Sequence, residues 1–193
     1  IAEESVRLEC IVIGEDLGTV SANFRETVAR WGLWSYRVML FEREGGDAHF
    51  KPPEAYPAAA LATFNTHDMG SFRGWLEGHD MAVKRAIGFD PGEDDGARDW
   101  ARQKLRETLS ERVPDQAPDD IAGVAEFLGL TPSHLVAISL DDVLGEREQV
   151  NIPGTTDQHP NWRRKLPLLI EELEGHDTLR RVGEAFARAG RSI

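Results

Sequence analysis

Two carboxylates stand shortly after short apolar stretches, and they are the side chains of this sequence best suited to chemistry. Glu15 follows residues 11–13 and a glycine, and Asp68 follows the small and apolar residues 58–64 through Asn65-Thr66-His67. If both stretches are parallel strands of one sheet, their carboxyl ends open on the same side and the two acids can converge on one cleft. Paired carboxylates suit glycosyl chemistry, in which one acid protonates the leaving oxygen while other groups handle the positive charge that develops on the sugar ring.

Neighbouring side chains fit the same chemistry, but each candidate also has an ordinary structural explanation. His67 can hydrogen-bond a sugar hydroxyl, and Trp34 and Trp75 offer flat faces for sugar stacking. A carboxylate at a strand end is often the N-cap of the following helix, and Trp34 also suits a core position. Spacing alone therefore predicts an α/β domain with an acidic site, and goes no further.

Other kinds of site are disfavoured by the sequence. The six histidines have no metal-ligand spacing with each other or with Cys10, and no Gly-x-Gly-x-x-Gly or P-loop pattern is present. We therefore expect no metal and none of the usual nucleotide sites. Cys10 is the only cysteine, which excludes an internal disulfide and suggests a reducing compartment. Its position beside an apolar run predicts a buried structural thiol.

The composition predicts one soluble, cytoplasmic domain with a sizeable core. The chain has 193 residues, of which 40% are hydrophobic, and no stretch is apolar for long enough to span a bilayer. A net charge of -12 argues against binding nucleic acid or anionic membranes and is compatible with a neutral substrate. The first residues resemble the last turns of a helix without a start, so we expect a piece of a longer protein.

Short apolar runs separated by helical patterns predict the elements that would position the acids. Strands are expected at residues 11–13, 35–42, 58–64 and 135–140, in the rhythm of a parallel sheet. Ser21 is a candidate N-cap for the first helix, and Gly32 is placed to end it. A loop containing Gly45 and Gly46 follows the second strand. Asp119 or Asp120 is expected to cap a later helix. The closing helices are expected to carry two apolar stripes, first Leu166, Leu169 and Leu173, then Leu179, Val182 and Phe186.

Several short motifs in a fixed order resemble one known family. The run Gly14-Glu15-Asp16-Leu17-Gly18 resembles the "(A/G)EDLG" signature of the 4-alpha-glucanotransferases, also called amylomaltases or disproportionating enzymes. The other segments follow in the family's order: residues 35–42 resemble its next strand, residues 66–68 its "THD", residues 74–75 its "GW", and residues 151–155 and 160–164 its "N-x-PGT…PNW" ending. This similarity extends over nearly the whole chain.

The resemblance implies a retaining transglycosylase of glycoside hydrolase family 77, in the α-amylase clan, built on a (β/α)8 TIM barrel. Such enzymes cleave an α-1,4-glucan, hold one part covalently, and transfer it to the 4-hydroxyl of another sugar without a cofactor. By motif, Glu15 corresponds to the general acid/base and Asp68 to the transition-state stabiliser. His67 would be the substrate-binding neighbour of Asp68, and Asn151 would contact substrate unless it has only a loop role.

Two departures from the family pattern limit what the resemblance implies. The family's nucleophile is an aspartate in an "R-x-D-H" motif one strand earlier, and this sequence does not contain that motif. We therefore expect residues 1–193 to be a partial catalytic domain, the C-terminal half of the barrel, with strands 5–8 and a helical insertion at about 78–130. Residues 69–72 also differ from the family's usual sequence, which leaves local substrate contacts open.

Partner and function expectations follow from this half-barrel interpretation. The isolated chain is expected to be inactive, and to associate with itself or with the missing N-terminal half through its unpaired sheet edges. One alternative is a non-catalytic glucan-binding domain whose acids only hydrogen-bond sugar. Another is a branching or debranching enzyme of the same clan, which the "PGT…PNW" ending disfavours.

Overall fold

A computed structural model describes residues 1–18, 20–44 and 49–191, so the predicted loop glycines Gly45 and Gly46 lie outside it. The strands are β1 (Ile13–Gly14), β2 (Trp34–Val38), β3 (Arg43–Glu44), β4 (His49–Phe50), β5 (Ala60–Thr63) and β6 (Leu135–Ala137). The α-helices are α1 (Ala2–Arg7), α2 (Ala22–Arg30), α3 (Phe72–Glu77), α4 (His79–Ala86), α5 (Asp95–Arg112), α6 (Ile121–Gly129), α7 (Leu140–Val143), α8 (Ile170–Leu173) and α9 (Asp177–Arg188). Within these ranges, no helix combines the length and the apolar character that crossing a membrane would require.

Four strands form one parallel sheet in the order β1-β2-β5-β6, and β3 and β4 form a separate antiparallel pair. Ile13 lies opposite Trp34 at the first junction, and the remaining strands align in the same direction. The predicted α/β fold with a parallel sheet is therefore confirmed. The second strand is shorter than predicted, because the chain turns into a 3-10 helix at Met39–Phe41.

The two faces of the sheet differ in how well they are covered. Ala60 and Ala62 of β5 are fully buried on one face, and Ala62 belongs to the hydrophobic core that also contains the apolar side chains of α6. Strand side chains alternate between faces, so the cross-strand neighbours Tyr36, Leu61 and Leu135 share the other face. None of these three is fully buried. This second face is therefore incompletely covered around Leu61 and Leu135, whereas Val38 and Thr63 farther along the strands are buried.

Local capping signals account for several helix ends. The Ser21 hydroxyl accepts the Phe24 amide at 3.2 Å and starts α2, and Gly32 follows that helix with φ of +72°. Of the two aspartates considered for α6, Asp120 is the cap, and it accepts the Ala122 amide at 3.0 Å. These predictions are confirmed. So is the apolar stripe of α9, in which Val182 is buried while Leu179 and Phe186 pack on the core. The earlier stripe is wrong, because Leu166 and Leu169 are exposed and α8 begins only at Ile170.

The first apolar run, residues 11–13, is not a strand along its whole length, and the prediction of a buried Cys10 is wrong. Cys10 and Ile11 are exposed, because the strand begins only at Ile13. The Cys10 amide instead donates to the Ser5 carbonyl at 3.0 Å, in the turn that follows α1. Residues 10–12 therefore connect a helix to the sheet, and most of the strand predicted at residues 11–13 is part of this connection.

A buried ion pair between α4 and α5 packs against the segment that carries Asp68. Arg98 of α5 donates to both carboxylate oxygens of Asp80 at 2.8 and 2.9 Å, and to the Trp75 carbonyl at 2.9 Å. Arg98 and Asp80 are both buried. A Cβ atom at Gly70 would approach the Cβ of Asp80 to 2.9 Å, so this pair lies directly against the backbone two residues after Asp68.

We expect Arg98→Met to lower the free energy of unfolding by about 3–5 kcal/mol, because it leaves the Asp80 carboxylate buried without its charged partner. Urea denaturation measures the loss. Arg106→Met is the matched control, because Arg106 pairs with Asp119 at a half-exposed site and its removal should cost less than about 1 kcal/mol. Similar losses in the two variants would contradict a special role for the buried pair.

Candidate active site

The two predicted acids lie at the same edge of the sheet. Glu15 directly follows β1 and is exposed, and Asp68 lies in the loop between β5 and α3. Strand β2 runs between β1 and β5, which separates their axes by about 10 Å, two strand spacings. The structure therefore brings the acids to one edge but does not put them in contact.

A buried neighbour, Asp16, fixes the end of β1. Its carboxylate accepts the Tyr36 amide at 3.1 Å and the Arg25 Nε–H at 3.0 Å, and Arg37 lies 3.6 Å away. These contacts tie β1 to both β2 and α2. Sequence reasoning assigned Asp16 no role, although it stands beside Glu15 in the same motif.

Three of the four predicted site residues meet around the Asp68 carboxylate. The side-chain amide of Asn151 donates to Asp68 Oδ1 at 2.6 Å, and His67 Nε2 lies 3.3 Å from the same oxygen. The Asp68 side chain remains 41% exposed, so the carboxylate is accessible to a ligand. His67, Asp68 and Asn151 thus form one polar cluster, from which Glu15 is separate.

Backbone contacts hold the two segments of this cluster together. The Gln149 side-chain amide donates to the backbone carbonyls of Asp68 at 2.7 Å and Asn151 at 2.6 Å. The backbone amide of Asn151 donates to the His67 carbonyl at 3.3 Å. His159 Nε2 lies 2.8 Å from the Gln149 carbonyl. Gln149 and His159 are both buried. Sequence reasoning missed both, and their only signal is proximity to the "N-x-PGT…PNW" motif.

A cavity of about 260 Å³ opens beside His67 at the carboxyl ends of β2, β5 and β6. Hydroxyl and carboxylate groups lining it include those of Tyr36, Thr63, Ser139 and Asp141. In the described ranges, no group of three or more histidine, cysteine, aspartate and glutamate side chains is arranged to hold a metal ion. The cavity offers hydrogen-bonding groups of the kind that a small polar ligand requires.

The tryptophans differ from the sequence expectations. Trp75 is only 5% exposed and packs edge-on against Phe64, with ring centroids 6.0 Å apart, so its expected sugar-stacking role is wrong. Trp34 is half-buried beside His134. The tryptophan next to the polar cluster is instead Trp162, whose ring centroid lies 5.0 Å from that of His67.

Asp142 anchors the loop that carries Asp68. Its Oδ1 atom accepts the Phe72 amide at 2.6 Å and the Asn65 side-chain amide at 3.3 Å, and Asn65 also donates to the Gly70 carbonyl at 3.0 Å. These bonds join the two ends of the loop. Burial raises the pKa of Asp142 to about 6, and within the described part of the chain its Oδ2 atom has no hydrogen-bond partner.

This pKa shift predicts a pH-dependent stability that Asp142→Asn removes. The folded pKa of about 6 exceeds the ordinary value of 3.8, so the protonated form stabilises the fold fully below about pH 4, and this contribution is lost as pH rises through about 6. Between pH 4 and 7, the wild type should lose up to about 3 kcal/mol relative to Asp142→Asn. Urea denaturation of both proteins across this range measures the difference, and a difference independent of pH would contradict the assignment.

Comparison with known proteins identifies the family. The family model described as 4-alpha-glucanotransferase matches residues 1–170. The 4-alpha-glucanotransferase of Mycobacterium tuberculosis (strain H37Rv) is 30% identical over 191 residues, which cover 90% of this chain and 26% of that protein. The Haemophilus influenzae 4-alpha-glucanotransferase is 30% identical over 196 residues, with 93% and 28% covered. The chain belongs to the 4-alpha-glucanotransferase family, which confirms the resemblance seen in the motifs, and it spans about a quarter of the length of these relatives.

Solved structures agree with this assignment. The amylomaltase of Corynebacterium glutamicum superimposes with a TM-score of 0.80 at 29% identity, over 96% of this chain and 30% of that structure. The amylomaltase of Streptococcus agalactiae in complex with acarbose superimposes with a TM-score of 0.63 over 98% of this chain, at 18% identity. The second likeness concerns the fold alone.

Proposed function

We propose that this chain is the part of a retaining 4-alpha-glucanotransferase that supplies the general acid/base and the transition-state stabiliser. The whole enzyme would cleave an α-1,4-glucan and transfer the segment to the 4-hydroxyl of glucose or another glucan. The observation that carries the proposal is the polar cluster of His67, Asp68 and Asn151, which opens at the same sheet edge as Glu15 in a chain of this family. The relatives, which are 4-alpha-glucanotransferases, support a glucan as the substrate class.

Glu15 is the proposed general acid/base. It is exposed at the strand end, where a sugar chain can reach it, and the contacts of its neighbour Asp16 hold the backbone there. In the first step its carboxyl group gives a proton to the leaving oxygen of the glucan. In the second step the resulting carboxylate takes a proton from the 4-hydroxyl of the acceptor, which restores the acid.

Asp68 is the proposed stabiliser of the transition state. Hydrogen bonding by Asn151 at Oδ1 orients its carboxylate, while the partly exposed carboxyl group can accept hydrogen bonds from sugar hydroxyls. Its negative charge also stabilises the positive charge that develops on the sugar ring. His67 and Asn151 are proposed to bind substrate beside it, with no cofactor taking part.

The proposed architecture is half of a (β/α)8 barrel, with the nucleophile on the other half. The parallel sheet has one incompletely covered face, which includes Tyr36, Leu61 and Leu135, and the chain spans 30% of the Corynebacterium structure. We propose that residues 1–193 supply strands 5–8, with an insertion at about 78–130, and that a preceding half of the barrel covers this face. A cytoplasmic location belongs to the same proposal.

Glu15→Gln tests the catalytic proposal in the full-length protein that contains this chain. We expect kcat for the conversion of maltotriose to glucose and longer oligomers to fall roughly 10²–10⁴-fold, while maltotriose binding is retained. Glu26→Gln, at an exposed position on α2, is the matched control and should leave transfer unchanged.

Other outcomes of this experiment would identify a different function. Undiminished transfer by Glu15→Gln would contradict the acid/base assignment. A wild type that binds glucan without any turnover would favour the non-catalytic binding domain. Products containing α-1,6 linkages would favour a branching enzyme.

The isolated chain provides a separate test of the half-barrel proposal. Without a nucleophile it cannot form the covalent intermediate, so we expect no glucose release from maltotriose. Its sheet edges should also make it elute from size-exclusion chromatography as a dimer or larger assembly. Robust transfer, or a monodisperse monomer, would count against the half barrel.

A further inference from the structure

An exposed tryptophan beside the polar cluster has no part in the assignments above. Trp162 is 62% exposed, although its indole is the largest apolar side-chain type in proteins. Its ring lies 5.0 Å from the His67 ring, centroid to centroid, and the two planes meet at 48°. His67 in turn lies 3.3 Å from the Asp68 carboxylate. The indole thus stands at the rim of the proposed catalytic cluster.

The backbone at Trp162 has a conformation that bulky residues rarely adopt. Its φ is +58°, in the left-handed region where non-glycine residues are strained and which is enriched at functional sites. The surrounding turn imposes this conformation. The Trp162 amide donates to the Val150 carbonyl at 3.1 Å, and the Asn161 side chain accepts the Ile152 amide at 2.9 Å and donates to Thr155 Oγ1 at 2.7 Å. The fold therefore holds this indole at the surface in spite of local strain.

Another exposed tryptophan shows that exposure alone does not define a site. Trp31 is 64% exposed, but it follows α2 with an unstrained φ of -88° and lies near the start of β2, at the opposite edge of the sheet. Trp162 combines exposure with strain and with neighbouring hydrogen-bonding groups. A hexose ring presents an apolar C–H face and a rim of hydroxyls, which match an indole face next to a histidine and a carboxylate.

We infer that Trp162 and His67 form a stacking platform for one glucose ring of an α-1,4-glucan, adjacent to Asp68. The name of the ligand rests on the proposed function, whereas the platform rests on the geometry of the two rings and the strained turn. The platform would hold the glucan chain in register with the carboxylate, since the stacked ring cannot shift without losing its contact with the indole.

Binding of soluble starch to this chain tests the platform without requiring catalysis. Affinity electrophoresis in native gels, over a series of starch concentrations, gives the dissociation constant. We expect Trp162→Ala to weaken binding roughly fivefold to tenfold and Trp162→Phe to recover most of it, because phenylalanine keeps an aromatic face. Trp31→Ala is the matched control at a tryptophan of equal exposure and should bind as the wild type does.

Trp162→Gly separates binding from folding. Glycine adopts a φ of +58° without strain, so this variant should unfold at the same temperature as the wild type or higher, yet bind starch as weakly as Trp162→Ala. Undiminished binding by Trp162→Ala, or an equal loss in Trp31→Ala, would overturn the platform while leaving the proposed transfer activity untouched. Absence of any starch binding by the wild-type chain would also overturn it. Failure of the transfer proposal is detected independently, by the Glu15→Gln kinetics.

Discussion

The parallel direction of four hydrogen-bonded strands is the constraint on which the rest of the structure depends. Because every strand of the sheet points the same way, the segments that follow β1, β5 and β6 all begin at one edge. This brings Glu15 and Asp68 together from positions more than fifty residues apart in the sequence. The sheet places the two residues at one edge, at a separation set by the spacing between strands, and the loops determine where the side chains lie.

Hydrogen bonds between distant parts of the chain position the loop that carries Asp68. Gln149 and Asn151 reach it from 81 and 83 residues later, and Asp142 closes its ends from comparable distances. A buried polar group that loses its partner costs free energy, so these contacts support one another and favour a single loop conformation. The Arg98–Asp80 pair connects the same loop to helices α4 and α5, because Asp80 packs directly against Gly70.

Two energetically unfavourable features lie close to the proposed catalytic cluster. Asp142 is a buried carboxyl group with an unpartnered oxygen within the described structure, and Trp162 is a bulky residue at positive φ. Both stand in segments that contact the His67–Asp68 loop. Strained backbone and unpaired buried polar groups are common at functional sites, because function and not stability selects those residues. Their positions here agree with a site at the carboxyl edge of the sheet.

The sequence by itself determined the features whose causes are local. Ser21 and Asp120 cap their helices through bonds to residues two or three positions away, and Gly32 ends α2 through its own backbone freedom, so short windows were sufficient. The ordered motifs likewise identified the family and the neighbourhood of Glu15 and Asp68, because each motif is a contiguous run of residues.

Only the tertiary structure decided which side chains are buried and which groups meet. Trp75 and Trp162 are both tryptophans within recognised motifs, yet one packs in the core and the other is exposed, because burial depends on elements that arrive from elsewhere in the chain. Cys10 is exposed for the same reason, since its apolar neighbours belong to a connection. Gln149 and Asn151, which hydrogen-bond to Asp68, lie about eighty residues away, a separation over which no local pattern specifies a hydrogen bond.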